Sequence, residues 1–399
     1  MTALPCSPLR RFLQGLLFLA AGVLAGCGGG GDGGGVGTGG TGTYALGTIS
    51  GFGSIIVNGV RFDDSVASVL DDDDAPRRRD ELKLGMRVAI DSDAIRSDGA
   101  GRSATASRIR VVSELAGPVS AVNTAAGTLV VLGQTVRIGA LTVFDDNIGG
   151  ALAGITIGQT IEVYGLYDAA SGSYDATRIE LRDASAAWHL RGPIVALDTS
   201  RQSLRIGGLN FDYGGASNLP ASLAVGDTVR VRVSLVTGPF GGWLITAFGS
   251  GVRSPDDRDE AEIEGRVAGF VSTTQFSVNG LVVDAAAASF PDGSAGLRNG
   301  VRVEVRGALR GGVLQASEVA IESDDEELER GFDLRGTIES VDPAARTFQL
   351  RGTTISWARS DLRLDDGTLA DIAVGRRVEV KAQLASNRSG LEATRIKFD

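Results

Sequence analysis

One short phrase recurs five times along the chain and constrains its fold more than any other feature. Its clearest copy spans residues 297–305, where a glycine turn at Gly300 precedes alternating apolar and charged residues. Alternation with a period of two is typical of a strand that is buried on one face. The other copies begin at Leu82, Ile155, Leu223 and Ile372. We therefore predict one small β unit repeated five times, with the valines of the phrase in a core and its Arg and Glu side chains in water.

Each copy of the phrase lies inside a longer repeat with a constant order of features. The repeats open with the glycines Gly47, Gly117, Gly192, Gly265 and Gly336. A second strand then ends in a turn such as Asn58-Gly59, whose residue types suit the positive φ angles of a β-hairpin. A third strand, a variable stretch of about 15 to 25 residues, the phrase and a last strand complete each repeat. The consistent count is five strands per repeat.

Five short strands in roughly 60 to 70 residues can bury their apolar faces by closing into a small barrel. The long gap between strands three and four matches the connection of an OB-type barrel. An immunoglobulin-like sandwich fits less well, because it needs about seven strands and about 100 residues. The predicted fold class is all-β, with five tandem OB-like barrels after a signal peptide and a Gly-rich tether.

The predicted boundaries follow from these repeats. We assign residues 1–26 to a lipoprotein signal peptide and 27–43 to a lipidated cysteine with a flexible tether. The five β repeats then span 44–113, 114–185, 186–253, 260–323 and 331–399. Charged linkers at 253–260 and 323–330 are expected to keep neighbouring barrels apart.

The N-terminus has the features of a secretory signal. Arg10 and Arg11 precede an apolar run at 12–24 that is too short to span a bilayer, which needs about 20 residues. The run ends in Leu24-Ala25-Gly26-Cys27, which resembles the lipobox of bacterial lipoproteins. That resemblance implies a diacylglyceryl group on Cys27 as the first mature residue. The alternative is an ordinary signal peptide followed by an incidental cysteine.

The residues after Cys27 predict how the protein is held. Gly28 follows the cysteine, and in the lipoproteins that it resembles an Asp there favours the inner membrane, so Gly indicates the outer membrane. Residues 28–43 are mostly Gly and Thr and cannot bury a core, which is typical of a flexible tether. We expect a bacterial envelope protein that is anchored by its lipid.

The phrases at 47–59 and 84–88, read as Gly-Thr-Ile-Ser-Gly-Phe-Gly-Ser-Ile-Ile-Val-Asn-Gly and Leu-Gly-Met-Arg-Val, point to a known family. The chain resembles bacterial envelope proteins with tandem copies of the domain-of-unknown-function family numbered 5666. Repeat one is the most similar and repeat four the next. The resemblance implies architecture and location only, because the family brings no activity and no catalytic residues.

Charge and composition exclude several functions. Without Arg10 and Arg11 the chain has 37 basic and 49 acidic residues, a net charge near −12, which repels nucleic acid. A single imidazole, His189, cannot build a multi-histidine metal site, and we read it as a linker or strand-edge residue. The acidic run at 71–74 lacks the spacing of a calcium loop, so we predict a solvated loop. We expect no metal, no cofactor and no nucleic-acid partner.

Aromatic side chains offer one candidate binding site. Phe52, Phe62, Phe211, Phe276, Phe348 and Trp357 fall at strand positions that should face barrel interiors. Phe240 and Trp243 instead occupy a glycine-rich loop between two strands, where we predict an exposed binding tip. The alternative is a turn whose Trp243 folds back on its barrel.

These observations predict a non-enzymatic, lipid-anchored envelope repeat protein that acts as a binding or scaffolding module. Its expected partners are the membrane, through the lipid, and an envelope protein or glycan. The alternative function is a structural or assembly accessory of envelope complexes. An envelope hydrolase is a minor alternative, because no repeat adds a nucleophile, a base and an orienting group.

Overall fold

The computed structural model describes residues 40–99, 101–149, 151–183, 188–249, 255–385 and 390–399. We number its strands in chain order and refer to the predicted repeats as segments one to five. The described residues belong to one compact unit.

Segment one forms a closed ring of strands. Its elements are β1 (Gly40–Phe52), β2 (Ile55–Val57), β3 (Val60–Asp63), β4 (Ser68–Leu70), a 3-10 turn (Arg79–Glu81), β5 (Arg87–Ser92), β6 (Arg96–Asp98) and β7 (Gly101–Val112). Strand β1 pairs antiparallel with β2 and β5, β2 pairs with β3, and β5 pairs with β7. A parallel pairing of β3 with β7 closes the ring. The Asn58-Gly59 turn has positive φ at both residues, as its hairpin requires.

Segments two and three repeat this order of strands. Segment two contains β8 (Leu115–Asn123), β9 (Thr128–Val131), β10 (Gln134–Phe144), a 3-10 turn (Ala151–Gly154), β11 (Thr160–Asp168) and β12 (Ser173–Leu181). Segment three contains β13 (Trp188–Asp198), β14 (Ser203–Ile206), β15 (Leu209–Asp212), β16 (Thr228–Thr237) and β17 (Trp243–Gly249). Parallel pairings of β10 with β12 and of β15 with β17 close these rings.

Segments four and five follow the same plan with one helix between them. Segment four contains β18 (Arg258–Ser272), β19 (Gln275–Val278), β20 (Leu281–Asp284), β21 (Arg302–Arg310) and β22 (Val313–Ile321), followed by helix α1 (Asp324–Arg330). Segment five contains β23 (Phe332–Thr337), β24 (Ser340–Asp342), β25 (Thr347–Leu350), β26 (Thr353–Ser356), β27 (Arg363–Asp365), a 3-10 turn (Leu369–Asp371), β28 (Arg377–Leu384) and β29 (Leu391–Phe398). The closing parallel pairs are β20 with β22 and β26 with β29. The protein is thus all-β and built from small closed five-stranded barrels of OB-like form.

The barrel interiors contain the apolar residues that the alternation predicts. Phe52, Phe62, Phe211, Phe276 and Phe348 are all essentially buried, which confirms their predicted place in the core. Trp357 is half-buried and stacks on Phe348 with ring centroids 5.9 Å apart. Removing these rings and the surrounding Val, Ile and Leu side chains from water stabilises the barrels.

The barrels are joined directly, so the expectation that charged linkers keep them apart is wrong. Strand β1 pairs in parallel with both β18 and β23, and β8 pairs antiparallel with β13. The linker residues take part in this joining: Arg258 opens β18 and reaches Asp91 of segment one at 3.0 Å. The second linker forms α1, capped by the side chain of Ser323. Edge strands that pair with one another satisfy backbone groups that separate barrels would expose.

The predicted tether is wrong in its last four residues. Strand β1 begins at Gly40, and Thr43 is fully buried with its hydroxyl donating to Oε2 of Glu260 at 2.7 Å. Residues 40–43 lack apolar side chains but gain backbone partners on β5 and β18. Residues 40–43 therefore form a strand because β5 and β18 pair with them, and not because of their own side chains.

Candidate functional site

The predicted site residues do not form one site. Cys27 lies outside the described residues. Phe240 is 57% exposed, and its backbone N–H donates to Oδ2 of Asp212 at 2.9 Å. Trp243 begins β17 and packs half-buried against the core of segments two and three. Trp243 therefore follows the stated alternative, a turn whose Trp packs back on its barrel, and a binding role for the loop stays a prediction.

The acidic run at 71–74 is not a solvated loop, contrary to the prediction. Oδ2 of Asp73 lies 2.8 Å from Nη2 of Arg232, and Oδ1 of Asp73 lies 2.5 Å from Nη1 of the buried Arg230. Nε of Arg230 also lies 3.5 Å from the carboxylate of Asp72. The hydrogen bond from Arg230 lowers the pKa of Asp73 well below its ordinary range. Segment three supplies these arginines from β16, so the run docks segment one onto segment three.

The charged residues of the recurring phrase are buried in segments one and four, although we predicted that they stay in water. Arg87 is 2% exposed, and Arg302 is nearly as buried. Nε and Nη2 of Arg302 donate to Oε1 of Glu264 at 2.9 and 2.6 Å, while Nη1 of Arg87 lies 3.7 Å from Oε2 of Glu264. The backbone N–H of Thr48 donates to the same Oε2 at 3.0 Å. In these two segments, neighbouring protein groups rather than water therefore pair with the charged residues of the phrase.

The pKa values of two buried glutamates, Glu264 and Glu304, shift in opposite directions. Burial alone would raise the pKa of Glu264, but the guanidinium groups of Arg302 and Arg87 outweigh it and lower that pKa to about 2. Glu304 lies directly opposite Glu264 in the pairing of β18 with β21. Burial raises the pKa of Glu304 to about 7, because Arg306 compensates only in part and Glu262 adds repulsion. Glu304 pairs with Arg306 at 2.6 Å within segment four, whereas the contact of Arg87 with Glu264 joins segments one and four. The arrangement therefore resembles a structural ion-pair network.

His189 has a partner that the sequence did not indicate. It lies half-buried in β13, with Nε2 2.6 Å from Oγ of Ser113. Burial and the charge of Arg230 lower the pKa of His189 to about 3. An imidazole of that pKa is a weak base at neutral pH. The Ser113–His189 contact is therefore poorly suited to activate a serine nucleophile.

The described part of the chain contains neither a cluster of metal ligands nor a membrane-spanning helix. Within those ranges, no three His, Cys, Asp or Glu side chains cluster as a metal site would require. None of the helices there has the length and apolar character needed to cross a membrane.

A cleft of about 360 Å³ opens where segments one, two and five meet, and it is a candidate for a ligand site. Its rim is held by two contacts between segments. Nζ of Lys83 donates to the carbonyl of Arg351 at 3.2 Å, and Oγ1 of Thr354 donates to Oδ2 of Asp146 at 2.9 Å. The cleft therefore exists only because the three segments are packed together.

A buried ion pair lies at the cleft and fixes its wall. Nε of Arg178 donates to Oε1 of Glu180 at 2.7 Å, and Nη1 of Arg178 donates to the carbonyl of Leu84 at 3.1 Å. Arg178 is 7% exposed and Glu180 is 8% exposed. Since each has its partner within the wall, the pair orders the cleft without leaving an excess charge.

No sequence pattern indicates this cleft. Asn147 lies in the variable stretch of its repeat, and Gln349 lies in a strand. Their side chains approach one cavity because segments two and five pack on segment one. No motif spacing can report residues that are brought together from three separate segments.

Three stretches of the chain match a family model described as a domain of unknown function (DUF5666), at residues 116–180, 264–320 and 335–397. These matches confirm the predicted resemblance but fall in segments two, four and five, so the expectation that segment one is the most similar is wrong. No curated protein matches the sequence. A solved structure described as "drosophila Unr CSD456" is 13% identical, covers 54% of this chain and 98% of its own, and has a TM-score of 0.13. That score is too low to support an argument about fold or function.

Proposed function

We propose that this chain, which carries tandem copies of the domain of unknown function DUF5666, is a non-enzymatic, lipid-anchored envelope protein that acts as a binding module. Five copies of the domain, at 44–113, 114–185, 186–253, 260–323 and 331–399, form its binding body. The lipobox-like Leu24-Ala25-Gly26-Cys27 supports an anchor at Cys27, and Gly28 supports the outer membrane.

One observation carries the binding function. The cleft of about 360 Å³ is built from three segments, and its volume lies within the range of small-ligand sites, roughly 300 to 1,000 Å³. A rigid wall with paired charges favours binding over catalysis, because each buried charge is already engaged by a neighbour. The net charge near −12 argues against a nucleic-acid partner.

Metabolic labelling tests the anchor. A bacterium that expresses the full chain is fed radioactive palmitate, and its membranes are separated by density. The wild-type chain should carry label and float with the outer membrane, whereas Cys27→Ser should be unlabelled. Cys6→Ser is the matched control and should be labelled like the wild type. An unlabelled wild-type chain would refute the anchor.

A second function, an assembly accessory of envelope complexes, is favoured by a different observation. Ile157, Val225 and Val374 occupy the same position before the glycine of the phrase and are 63 to 69% exposed. Exposed apolar tips at equivalent turns suit contact with another protein. A low-salt pull-down from membranes separates the two functions: a glycan or peptide ligand supports the binding module, and a stable protein complex supports the accessory. Turnover of any substrate in a broad hydrolase panel would overturn both.

A further inference from the structure

We infer that the cleft between segments one, two and five binds a neutral saccharide of one or two rings. The inference rests on the proposed binding function and adds the chemical class of the ligand. Its grounds are the side chains at the cleft, their charges and the strands that form its walls.

The cleft offers hydrogen-bonding groups of both kinds. Oδ1 of Asp145 accepts from the backbone N–H and from Nδ2 of Asn147, both at 3.0 Å, which holds the two side chains together. Oε1 of Gln349 accepts from Ser340 at 3.1 Å. Among the described residues, Oδ2 of Asp145, Nε2 of Gln349 and the hydroxyl of Thr353 have no hydrogen-bond partner. A sugar hydroxyl both donates and accepts, so vicinal hydroxyls match such a mixed set.

Apolar side chains form the other part of the lining. Leu84, Phe144 and Leu391 are buried, and Leu384 is half-buried beside them. A sugar ring presents C–H groups on its faces and hydroxyls at its edges. Apolar walls with a few oriented polar groups fit that distribution, as in most small-ligand sites.

The charges at the cleft argue against an anionic ligand. Arg178 is paired with Glu180, which leaves the carboxylates of Asp145 and Asp146 against the one ammonium group of Lys83. A phosphate or a sulfate needs an available cation and would meet a net negative charge here. A neutral saccharide meets no such repulsion.

The strands around the cleft argue against an extended peptide. Strand β12 pairs with β10 and β11, β25 pairs with β24 and β26, and β26 pairs with β25 and β29. A peptide that binds as an added strand needs a free sheet edge. Each of these strands has neighbours on both sides. Side chains of the cleft must therefore supply most of the contacts to its ligand.

The size of the cleft limits the ligand. About 360 Å³ lies near the lower end of the range for small-ligand sites, roughly 300 to 1,000 Å³. One or two sugar rings fill that space, whereas a long polymer would extend beyond it. The ligand is accordingly a mono- or disaccharide, or the end of a longer glycan.

The test is saturation-transfer NMR on the full-length protein in a zwitterionic detergent without a sugar headgroup. The probes are maltose, cellobiose, lactose and N,N′-diacetylchitobiose at millimolar concentration, with inorganic phosphate and tetra-alanine as the competing classes. At least one disaccharide should receive saturation. Asn147→Ala and Gln349→Ala should each weaken its binding roughly fivefold to tenfold, the effect of one lost hydrogen bond.

Two variants keep the test decisive. Gln275→Ala removes an exposed glutamine from β19, away from the cleft, and should leave binding unchanged. Thr353→Trp should fill the cleft and abolish binding while the circular dichroism spectrum stays that of the wild type. If Thr353→Trp misfolds, the two alanine variants decide. Saturation that survives both alanine variants, or that appears only on phosphate or tetra-alanine, would overturn the inference.

The failures of the two proposals can be told apart. A chain that is labelled at Cys27 and captures a ligand or protein, yet saturates none of the four disaccharides, refutes the saccharide site and leaves the proposed function. A chain that binds a disaccharide but carries no palmitate refutes the anchor and leaves the saccharide site.

Discussion

Two copies of the same turn have opposite surroundings in this molecule. In segment one the turn is Leu84-Gly85 and in segment five it is Val374-Gly375, with glycine φ angles of 80° and 86°. Leu84 is 1% exposed, whereas Val374 is 66% exposed. A similar local sequence with the same backbone turn therefore forms a buried contact in one place and an exposed tip in another.

The difference arises from the hydrogen bonds and apolar contacts that segment two makes with the turn of segment one. Oγ1 of Thr177 donates to the carbonyl of Gly85 at 2.7 Å, and Nη1 of Arg178 donates to the carbonyl of Leu84. The apolar cluster that contains Leu84 also contains Val143 and Tyr164 of segment two. A turn docks where a neighbouring strand supplies both donors for its carbonyls and an apolar surface for its side chain.

Strand register shows why segment five is a poor acceptor for such a turn. In segment two, Tyr164 and Val143 both lie opposite Arg178 in adjacent strands. In segment five, the equivalent residues opposite Arg395 are Lys381 and Arg363. Charged side chains at these positions favour water over an aliphatic turn. The contrast teaches that docking depends on a few outward residues rather than on the barrel itself.

The largest expected effect comes from adding a methyl group to each turn. A Cβ at Gly85 would lie 2.5 Å from the carbonyl oxygen of Thr177, whereas a Cβ at Gly375 meets nothing within 4 Å. Both substitutions strain a positive φ, but only Gly85→Ala also separates packed backbones. We expect Gly85→Ala to lower the free energy of unfolding by roughly 3 to 5 kcal/mol and Gly375→Ala by roughly 1 to 2 kcal/mol. Urea denaturation followed by circular dichroism measures both, and equal losses would contradict the docked turn.

The arginine two residues after each glycine gives the next comparison. Arg87 is buried beside Glu264, whereas Arg377 is 74% exposed at its side chain and lies 3.3 Å from the carboxylate of Asp399. Arg87→Met leaves Glu264 with one fewer cation in a buried place and should cost roughly 3 kcal/mol. Arg377→Met should change stability by less than about 0.5 kcal/mol. A large loss for Arg377→Met in the same denaturation experiment would mean that burial does not decide the effect.

Truncating the apolar residue of each turn should have a similar but somewhat smaller effect. Leu84→Ala removes packing against segment two and should cost roughly 2 to 3 kcal/mol. Val374→Ala removes a side chain that is mostly in water and should stay within about 0.5 kcal/mol. Limited proteolysis is a second measurement, because loosened contacts between segments should speed cleavage only in Leu84→Ala.

The last expected effect depends on pH and concerns Glu304. Its pKa is raised from about 4.5 to about 7 in the folded chain, so the folded state binds more protons than the unfolded state between these values. This contribution to stability is fully present below pH 4.5 or so and is lost as the pH rises through about 7.

Glu304→Gln, which keeps the shape of the protonated side chain, tests this directly. At pH 8 it should be roughly 2 to 3 kcal/mol more stable than the wild type, and at pH 4 the two should have similar stability. Thermal melts of both chains at the two pH values provide the measurement. A Glu304→Gln chain that is less stable at pH 8 would show that the ionised carboxylate is favourable.

Much of the fold could be predicted because its signals are local. Asn58-Gly59 sets a hairpin from its own residue types, and alternation in the phrase marks a strand whatever surrounds it. The environment of the polar face could not be predicted in the same way. An Arg at position 87 and an Arg at position 377 read alike in sequence, because the alternation is the same whether that face meets water or a buried glutamate.

The cleft could not be predicted from the sequence. Asp145, Asn147 and Gln349 come from two segments and approach a cavity that a third segment completes. Nothing in the spacing of these residues distinguishes them from other polar loop and strand residues. The prediction of a solvated loop at 71–74 was wrong for the same reason. The arginine partners of this acidic run lie in segment three, more than 150 residues later in the chain.

The sequence by itself determined the strands and the turns within each segment, because alternation and positive-φ turns depend on residues near one another in the chain. The tertiary structure alone decided which turns are buried, which charges are paired and where a cleft opens. Those features arise from contacts between the outward faces of different barrels. The burial and ion pairing that stabilise such contacts exist only once the faces are packed together.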